Sequence, residues 1–218
     1  MYSLSEENYL KTIYHLSNHG SESVNTNAIA EEMKTSPASV SDMIRKLSKK
    51  KAVNYEKYRG VNVSQKGKDI ALRVIRKHRL WEVFLVQKLK FKWDEVHDIA
   101  EQLEHIQSPM LISKLDEYLG FPKHDPHGDP IPDNEGNFSA LKKQSLSESA
   151  IGSQGAVIAV NDSSSAFLKY LDKVGISIGT ELKILDKNDF DGSLDIEMNE
   201  HSITISPIAA DNISIVVE

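Results

Sequence analysis

The chain has 218 residues, a formal net charge of −6 at pH 7 and no cysteine, which excludes disulfides, thiolate zinc sites and cysteine nucleophiles. Its length allows more than one domain, and its apolar runs are too short to cross a bilayer. We expect no secretory signal, because no basic segment followed by an apolar run is present near residue 1, and we expect a cytoplasmic protein.

The charge is distributed unevenly along the chain. Residues 1–79 carry 15 Lys and Arg against 8 Asp and Glu, whereas residues 80–218 carry 11 against 24. The basic excess is concentrated in residues 45–79, where 13 basic residues face 2 acidic ones. A basic block in an acidic chain indicates a phosphate-binding surface. A solvated, lysine-rich face is the alternative.

Residues 1–65 predict a winged helix-turn-helix domain. Ser3 and Glu6 form a capping box before a first helix that ends near Ser17. Helices over 26–33 and 37–50 flank a tight turn, and residues 53–64 predict a β-hairpin, which would be the wing. The second helix of such a motif enters the major groove by its N-terminal residues. The candidate DNA contacts are therefore Ser36, Pro37, Ser39, Ser41, Arg45, Lys46, Lys57 and Arg59.

Residues 66–140 predict a helical domain. The late part of the long helix that starts near Lys66 is apolar nearly all round, which indicates burial against a second chain. Together with a helix over Pro109–Leu119, this surface predicts a homodimer. His78 and Glu82 are four residues apart on the long helix, so they are possible metal ligands, although an ordinary helix-surface contact is the alternative.

The segment 93–107, WDEVHDIAEQLEHIQ, predicts a helix with two faces. At about 100° per residue, four polar side chains share an arc of about 100° opposite an apolar stripe. They are His97, Glu101, Glu104 and His105. The two carboxylates repel each other unless a cation lies between them, and imidazole with carboxylate suits first-row divalent metals. A solvated face rich in Glu and His remains the alternative.

The remaining residues predict a loop, a linker and a β domain. Residues 121–133 are stiffened by four prolines. Residues 154–218 contain short alternating runs around one short helix, a pattern typical of a small SH3-like β-barrel. We therefore predict an α+β chain with a winged helix-turn-helix at 1–65, a helical dimerisation and metal-binding domain at 66–140, a linker at 141–153 and the barrel at 154–218.

This order of elements resembles the diphtheria-toxin-repressor family of dimeric, metal-activated bacterial transcription regulators. The resemblance is carried by HxxxE at residues 78–82, VHxxAExxEH at 96–105 and DPHGDPIP at 125–132. Within the family, YEKYRG at 55–60 and the carboxylate Glu101 are most similar to the manganese-responsive branch. The resemblance covers nearly the whole chain.

The resemblance implies two metal sites. The primary site would contain Glu101, Glu104 and His105, completed by Asn8 and Asp125. The ancillary site would contain His78, Glu82 and His97, with Asp162 lent by the barrel. The family often has Asp or Met in place of Asn8, and several relatives have Cys in place of Asp125. Because this set is rich in oxygen and lacks sulfur, it favours Mn²⁺, with Fe²⁺ as the alternative.

The implied function is metal-dependent repression of metal-uptake genes through a palindromic double-stranded DNA operator. We expect no membrane partner, no organic substrate and no enzymatic activity, since HExxH and a second Glu-x-x-His helix are absent. Two other hypotheses stay open at this point. One is a winged-helix regulator that responds to an organic ligand, and the other is a metal-dependent hydrolase.

Overall fold

The computed structural model describes residues 2–56, 59–138, 143–199 and 201–217. The chain divides into two compact units. The first contains Met1–His78, Gln102–Pro109 and Pro132–Asn137, and the second contains Arg79–Glu101, Met110–Ile131 and Phe138–Glu218. Among the helices in the described ranges, none has both the length and the apolar character needed to cross a membrane.

The first unit is built on three helices and a hairpin. These are α1 (Leu4–Leu16), α2 (Thr26–Glu32), α3 (Pro37–Lys49), β1 (Val53–Glu56) and β2 (Gly60–Val63), followed by the start of α4 (Gln65–Gln87). Both halves of the capping box between Ser3 and Glu6 are formed, and Ser36 caps α3 with a proline in the first turn. The core includes Leu10, Ile13, Ile29, Ile44 and Leu47.

The hairpin is antiparallel, with register from Val53↔Val63 to Glu56↔Gly60. Val24, just before α2, exchanges backbone hydrogen bonds with Val61 at 2.8 and 2.9 Å. The wing is therefore attached to the helix-turn-helix by backbone pairing. The predicted DNA contact Lys57 lies outside the described residues.

The helix predicted over 93–107 is shorter in the structure. Only α5 (His97–Leu103) is helical, and Glu104 and His105 lie in the turn that follows. The Ile106 amide donates to the Leu103 carbonyl at 3.2 Å, which closes this turn. Ser108 precedes a proline, so the α conformation is disfavoured there. The predicted single arc of four ligands on one helix is therefore wrong. The next helix, α6 (Pro109–Tyr118), agrees with the prediction.

The second unit contains a six-stranded antiparallel sheet in the order β3-β8-β4-β5-β6-β7. Its elements are β3 (Gln144–Ser145), β4 (Gln154–Val160), α7 (Ser165–Val174), β5 (Glu181–Lys187), β6 (Leu194–Met198), β7 (His201–Ile205), α8 (Pro207–Asp211) and β8 (Ile213–Val217). Alternate strand residues such as Leu182, Ile184, Leu194 and Ile196 enter one buried core with Leu168 and Leu171 of α7.

Two short elements were not predicted. Strand β3 falls within the predicted linker, pairs with β8 and precedes the fully buried Leu146. Helix α8 is a single turn capped by Ser206. The division of the chain at 65, 140 and 153 stays a prediction.

Candidate metal centre and DNA-binding surface

In the first unit, the Glu104 carboxylate is completely buried, and three side chains approach it, including His105, whose Nε2 atom lies 3.5 Å from Oε1. Lys11 of α1 donates to both of its oxygens, from Nζ at 2.8 and 2.9 Å. His78 of α4 places Nδ1 2.7 Å from Oε2. We call Lys11, His78 and Glu104 the Glu104 cluster. A buried carboxylate is costly unless it is paired, and here an ammonium and an imidazole supply the pairing.

Next to this cluster, α1 contributes a second buried carboxylate. The Nδ1 atom of His105 lies 2.7 Å from Oε2 of Glu7, and Gln107 donates to Oε1 at 2.8 Å. Asn8 follows on the same helix, and its Oδ1 atom is buried with no hydrogen-bond partner among the described residues. An unpaired buried oxygen fits a cation ligand. This observation supports Asn8 as a metal ligand.

In the second unit, Glu82, Asp125 and His127 form what we call the Glu82 cluster. Each offers a ligand atom within 4.8 Å of the other two, and all three side chains are buried. The Nδ1 atom of His127 lies 3.8 Å from Oε2 of Glu82, while Nδ1 of His97 lies 3.7 Å from Oε1. Two carboxylates and one imidazole suit divalent first-row metals such as Mn²⁺ and Fe²⁺. The residues therefore fit a metal.

The loop holds this cluster rigidly. Asp125 Oδ1 accepts the backbone N–H of His127 at 2.8 Å and that of Asp129 at 3.0 Å. His127 Nε2 lies 2.9 Å from the Trp93 carbonyl, and its backbone carbonyl accepts from Val160 of β4 at 2.9 Å. A carbonyl can only accept, so Nε2 carries a proton and Nδ1 is left to face Glu82. The hydrogen bond to the Trp93 carbonyl therefore orients the His127 ring for metal ligation.

The charges in the Glu82 cluster are coupled. Burial, with Glu82 and Asp129 nearby, raises the pKa of Asp125 far above its usual range, although Arg79 and His127 oppose this. Burial alone would lower the pKa of His127, but the hydrogen bond and charge of Glu82, with the charge of Asp125, raise it above its ordinary value. At neutral pH the metal-free cluster therefore retains protons.

The predicted ligands are thus distributed over both units. Asp125, assigned to the primary site by resemblance, lies with Glu82 and His127. His78, assigned to the ancillary site, lies against Glu104. Glu101 is half-buried on α5. Asp162 accepts the backbone N–H of Ser164 at 2.7 Å, just before α7.

Three residues in or next to these clusters were not predicted. His127 lies in a segment interpreted only as a stiff loop, and the signal that could have identified it is an imidazole directly after a proline. Glu7 and Lys11 lie on the polar side of α1, and nothing local to that helix indicates which polar residue meets Glu104.

The predicted DNA surface is exposed along the start of α3 and the wing. Arg45 and Arg59 have side chains 73% and 81% exposed, and among the described residues each forms an ion pair with an exposed carboxylate three residues earlier. Exposed pairs of this type contribute little. Both guanidinium groups are therefore available for phosphate. Lys46 is also half-exposed, and it lies 3.4 Å from Glu6.

The hydroxyls at the start of α3 already have local partners. Ser36 Oγ accepts the N–H of Ser39 at 3.1 Å and lies 2.9 Å from its hydroxyl. Ser41 donates to the carbonyl of Pro37 at 2.9 Å. Of the three serines, Ser39 has the hydroxyl least committed to the backbone, which makes it the best candidate for a base edge.

Three family models match successive parts of the chain. Residues 1–61 match the iron dependent repressor N-terminal DNA binding domain, residues 64–133 match the iron dependent repressor metal binding and dimerisation domain, and residues 144–217 match the FeoA domain. The FeoA match agrees with the six-stranded antiparallel sheet and confirms the predicted SH3-like domain. The predicted α+β class is confirmed as well.

Individual relatives give the same result. The iron-dependent repressor IdeR of Mycobacterium tuberculosis is 34% identical over 126 residues, covering 58% of this chain and 54% of the relative. The chain thus spans about half the length of this and similar curated relatives. The HTH-type transcriptional regulator MntR of Oceanobacillus iheyensis is 34% identical over 121 residues, covering 56% of this chain and 81% of the relative.

Among solved structures, a manganese-dependent transcriptional repressor in complex with manganese superposes with a TM-score of 0.88 at 34% identity. The match covers 98% of this chain and 100% of that one. These relatives are transcription repressors rather than enzymes. The chain therefore belongs to the diphtheria-toxin-repressor family of metal-dependent transcription regulators, in its manganese-responsive branch.

Proposed function

We propose that this protein is a dimeric DNA-binding repressor that is activated by Mn²⁺ or Fe²⁺. The observation that carries the proposal is the end-to-end similarity to a manganese-dependent repressor, in a chain whose second unit holds three buried ligands suited to such a metal. Because its target is DNA, we infer a cytoplasmic location.

Two groups of residues are proposed to hold metal. The first is Glu82, Asp125 and His127, to which His97 adds a nearby imidazole. The second is the part of the predicted primary set that lies in the first unit, namely Asn8, Glu104 and His105, and it is supported by the unpaired Oδ1 atom of Asn8. Glu101 and Asp125, the other members of that set, lie in the second unit. A bound divalent cation would supply positive charge to carboxylates that come from different segments of the chain. His78 and Asp162 remain proposed accessory ligands.

The DNA site is proposed to be the start of α3 with the wing. A dimer would present two such helices, so the operator should be palindromic, with half-sites about one helical turn apart. Transcription of metal-uptake genes is the proposed target, since repression by the imported metal would limit its own uptake.

The test is a DNA-binding titration of the full chain against a palindrome library, in Mn²⁺, Fe²⁺, Zn²⁺ or chelator. Mn²⁺ should activate best and Fe²⁺ next. Zn²⁺ should bind tightly but activate poorly, because an oxygen-rich set supports more ligands than tetrahedral Zn²⁺ uses. Equal operator affinity in Mn²⁺ and in chelator would show that the proposal is wrong.

The surface itself is tested with Arg45→Ala and Arg59→Ala. Each should weaken binding to all sequences similarly and reduce the slope of log K against log salt by about one. Lys114→Ala is the control, since Lys114 is equally exposed but pairs with Glu117 on α6. Unchanged affinity and slope in both arginine variants would place the DNA elsewhere.

A further inference from the structure

Lys11 contacts a buried carboxylate that is itself a proposed metal ligand. Its ammonium lies 2.8 and 2.9 Å from the two oxygens of Glu104. The Glu104 side chain is 0% exposed and that of Lys11 is 14% exposed. Glu104 also belongs to the set proposed to hold the activating metal. The ammonium of Lys11 is therefore paired with a carboxylate that is proposed to bind the metal.

A metal ion and this ammonium are incompatible neighbours. A cation bound to a Glu104 oxygen at about 2.0–2.2 Å would lie no more than about 5 Å from Nζ. Two cations at that separation repel strongly where water is excluded. The metal must either bind weakly here or displace the lysine.

Displacement is physically possible. The lysine stem has four flexible carbons, and the partial exposure of Lys11 gives the ammonium a route to solvent. Glu104 lies in the turn that follows α5 rather than within the helix. A metal ion can therefore replace Lys11 as the positive partner of Glu104.

We propose that Lys11 is a tethered competitor of the metal at Glu104. In the metal-free protein, Lys11 neutralises the buried Glu104 carboxylate, which reduces its repulsion of other carboxylates. A metal ion must displace Lys11 to bind there. The consequence is a higher metal concentration for activation than the ligand set alone would require. This inference rests on the proposed function, because it concerns the same activating metal.

The test measures Mn²⁺ binding and thermal unfolding of the full chain in the Lys11→Met variant. In a Glu82→Gln background, which weakens the other cluster, Lys11→Met should raise Mn²⁺ affinity about tenfold or more, equivalent to about 1.4 kcal/mol. In chelator it should lower the Tm, because Glu104 loses its counter-charge. The Tm increase on adding Mn²⁺ should be larger than in the parent.

Three further variants make the result specific. Lys50→Met removes a different lysine that pairs with α1, through Glu6 at 2.7 Å, and should leave Mn²⁺ affinity unchanged. Lys11→Arg keeps the cation and should keep the low affinity. Adding Glu104→Gln to Lys11→Met should recover Tm in chelator, since neither charge then remains.

The proposal is overturned if Lys11→Met binds Mn²⁺ with parental or lower affinity, or if Lys11→Met and Glu104→Gln have additive effects on Tm. Failure of the proposed function is a separate result, since it appears as parental operator affinity that does not depend on Mn²⁺. The thermal coupling between Lys11 and Glu104 is measured without DNA and without metal.

Discussion

Glu104 and Glu82 are both buried carboxylates in clusters that suit a divalent metal, but different groups neutralise them. Glu104 is held by the ammonium of Lys11 at 2.8 Å. Glu82 faces the imidazole of His127 at 3.8 Å, and its neighbour Asp125 lies 3.5 Å from the guanidinium of Arg79. One cluster is balanced by a permanent charge on a flexible side chain, and the other mainly by a proton.

The difference determines what a metal must displace. A proton leaves to solvent without moving any side chain, so the Glu82 cluster can exchange its positive charge for a metal at low structural cost. The ammonium of Lys11 leaves only if its whole side chain moves. We therefore expect the Glu82 cluster to fill at the lower metal concentration and the Glu104 cluster to respond at the higher one.

The largest expected effect comes from breaking the loop that supports the Glu82 cluster. Gly128 has φ +85°, and a Cβ added there would lie 1.9 Å from the carbonyl oxygen of Ile158. Gly128→Ala should therefore destabilise the second unit by about 3 to 5 kcal/mol, because the new Cβ is overpacked and alanine is strained in the left-handed backbone conformation. Denaturant unfolding measures this, and Mn²⁺ binding at the Glu82 cluster should be lost with it.

Gly120→Ala is the matched control for that variant. Gly120 also has a positive φ, +76°, but apart from its chain neighbours no atom in the described part of the chain lies within 4 Å of its added Cβ. The cost should be only the backbone strain, about 1–2 kcal/mol. Equal destabilisation by the two variants would show that contact with β4 does not hold the loop.

The next effect tests whether the Glu82 cluster fills first. Glu82→Gln removes the carboxylate that faces both His97 and His127. Loss of a residue that only hydrogen-bonds to a metal ligand already costs about 10–100-fold in metal affinity, so loss of this ligand itself should cost about 100-fold or more in the tightest Mn²⁺ site. Isothermal titration should then show only the weaker site. Glu117→Gln, which alters an exposed pair on α6, is the control. An unchanged tight site would reverse the expected order.

Local physical chemistry explains which elements could be predicted. The capping box of Ser3 and Glu6 and the first-turn position of Pro37 depend on residues within one turn, and the structure contains both. The alternation of apolar residues in Leu194–Met198 likewise gives a strand with buried alternate residues. The ligand-bearing segments were found for the same reason, since their spacings are short.

The partners of Glu104 and His105 on α1 could not be predicted, because they depend on tertiary contacts. The periodicity of residues 93–107 continues through Glu104 and His105, so a single helix was expected. In the structure, contacts to Lys11 and Glu7 from α1 hold these two residues beyond the helix end. No pattern within the segment contains that information. His127 was not predicted for a related reason, because it lies in a loop and loops have no periodicity that marks a functional side chain.

A smaller effect concerns pH. It tests whether the metal displaces a proton at the Glu82 cluster, rather than an ammonium as at Glu104. The raised pKa of His127, caused chiefly by Glu82, means that metal must displace a proton at neutral pH. Mn²⁺ affinity of the Glu82 cluster should therefore fall at least about tenfold for each unit by which pH drops below that pKa, because Asp125, whose pKa is also raised, can hold a second proton. Titrations between pH 6 and 8 measure the slope. His124→Gln, in the same loop but outside the cluster, should keep it. A flat profile would contradict the proton exchange.

The smallest effect concerns Glu6, a buried carboxylate in the first unit that two lysines contact and that we assign no metal. Lys50 lies 2.7 Å and Lys46 3.4 Å from its Oε1 atom. Burial raises the pKa of Glu6, but hydrogen bonds from Lys50, the Ser3 backbone and Lys46 outweigh burial and lower the pKa to about 2. A lowered pKa means that the charged form stabilises the folded protein.

This stabilisation should be complete above pH 4.5, the ordinary value, and should be lost as the pH falls through about 2. Glu6→Gln should accordingly lower the Tm at pH 7 by about 2–4 °C, as expected for about 1 kcal/mol in a chain of this size. The difference from the parent should close as the pH approaches 2. Mn²⁺ should not restore the lost Tm, whereas it should do so in Lys11→Met. If Mn²⁺ rescued both variants alike, lysine pairing would not distinguish a structural carboxylate from a metal-exchanging one.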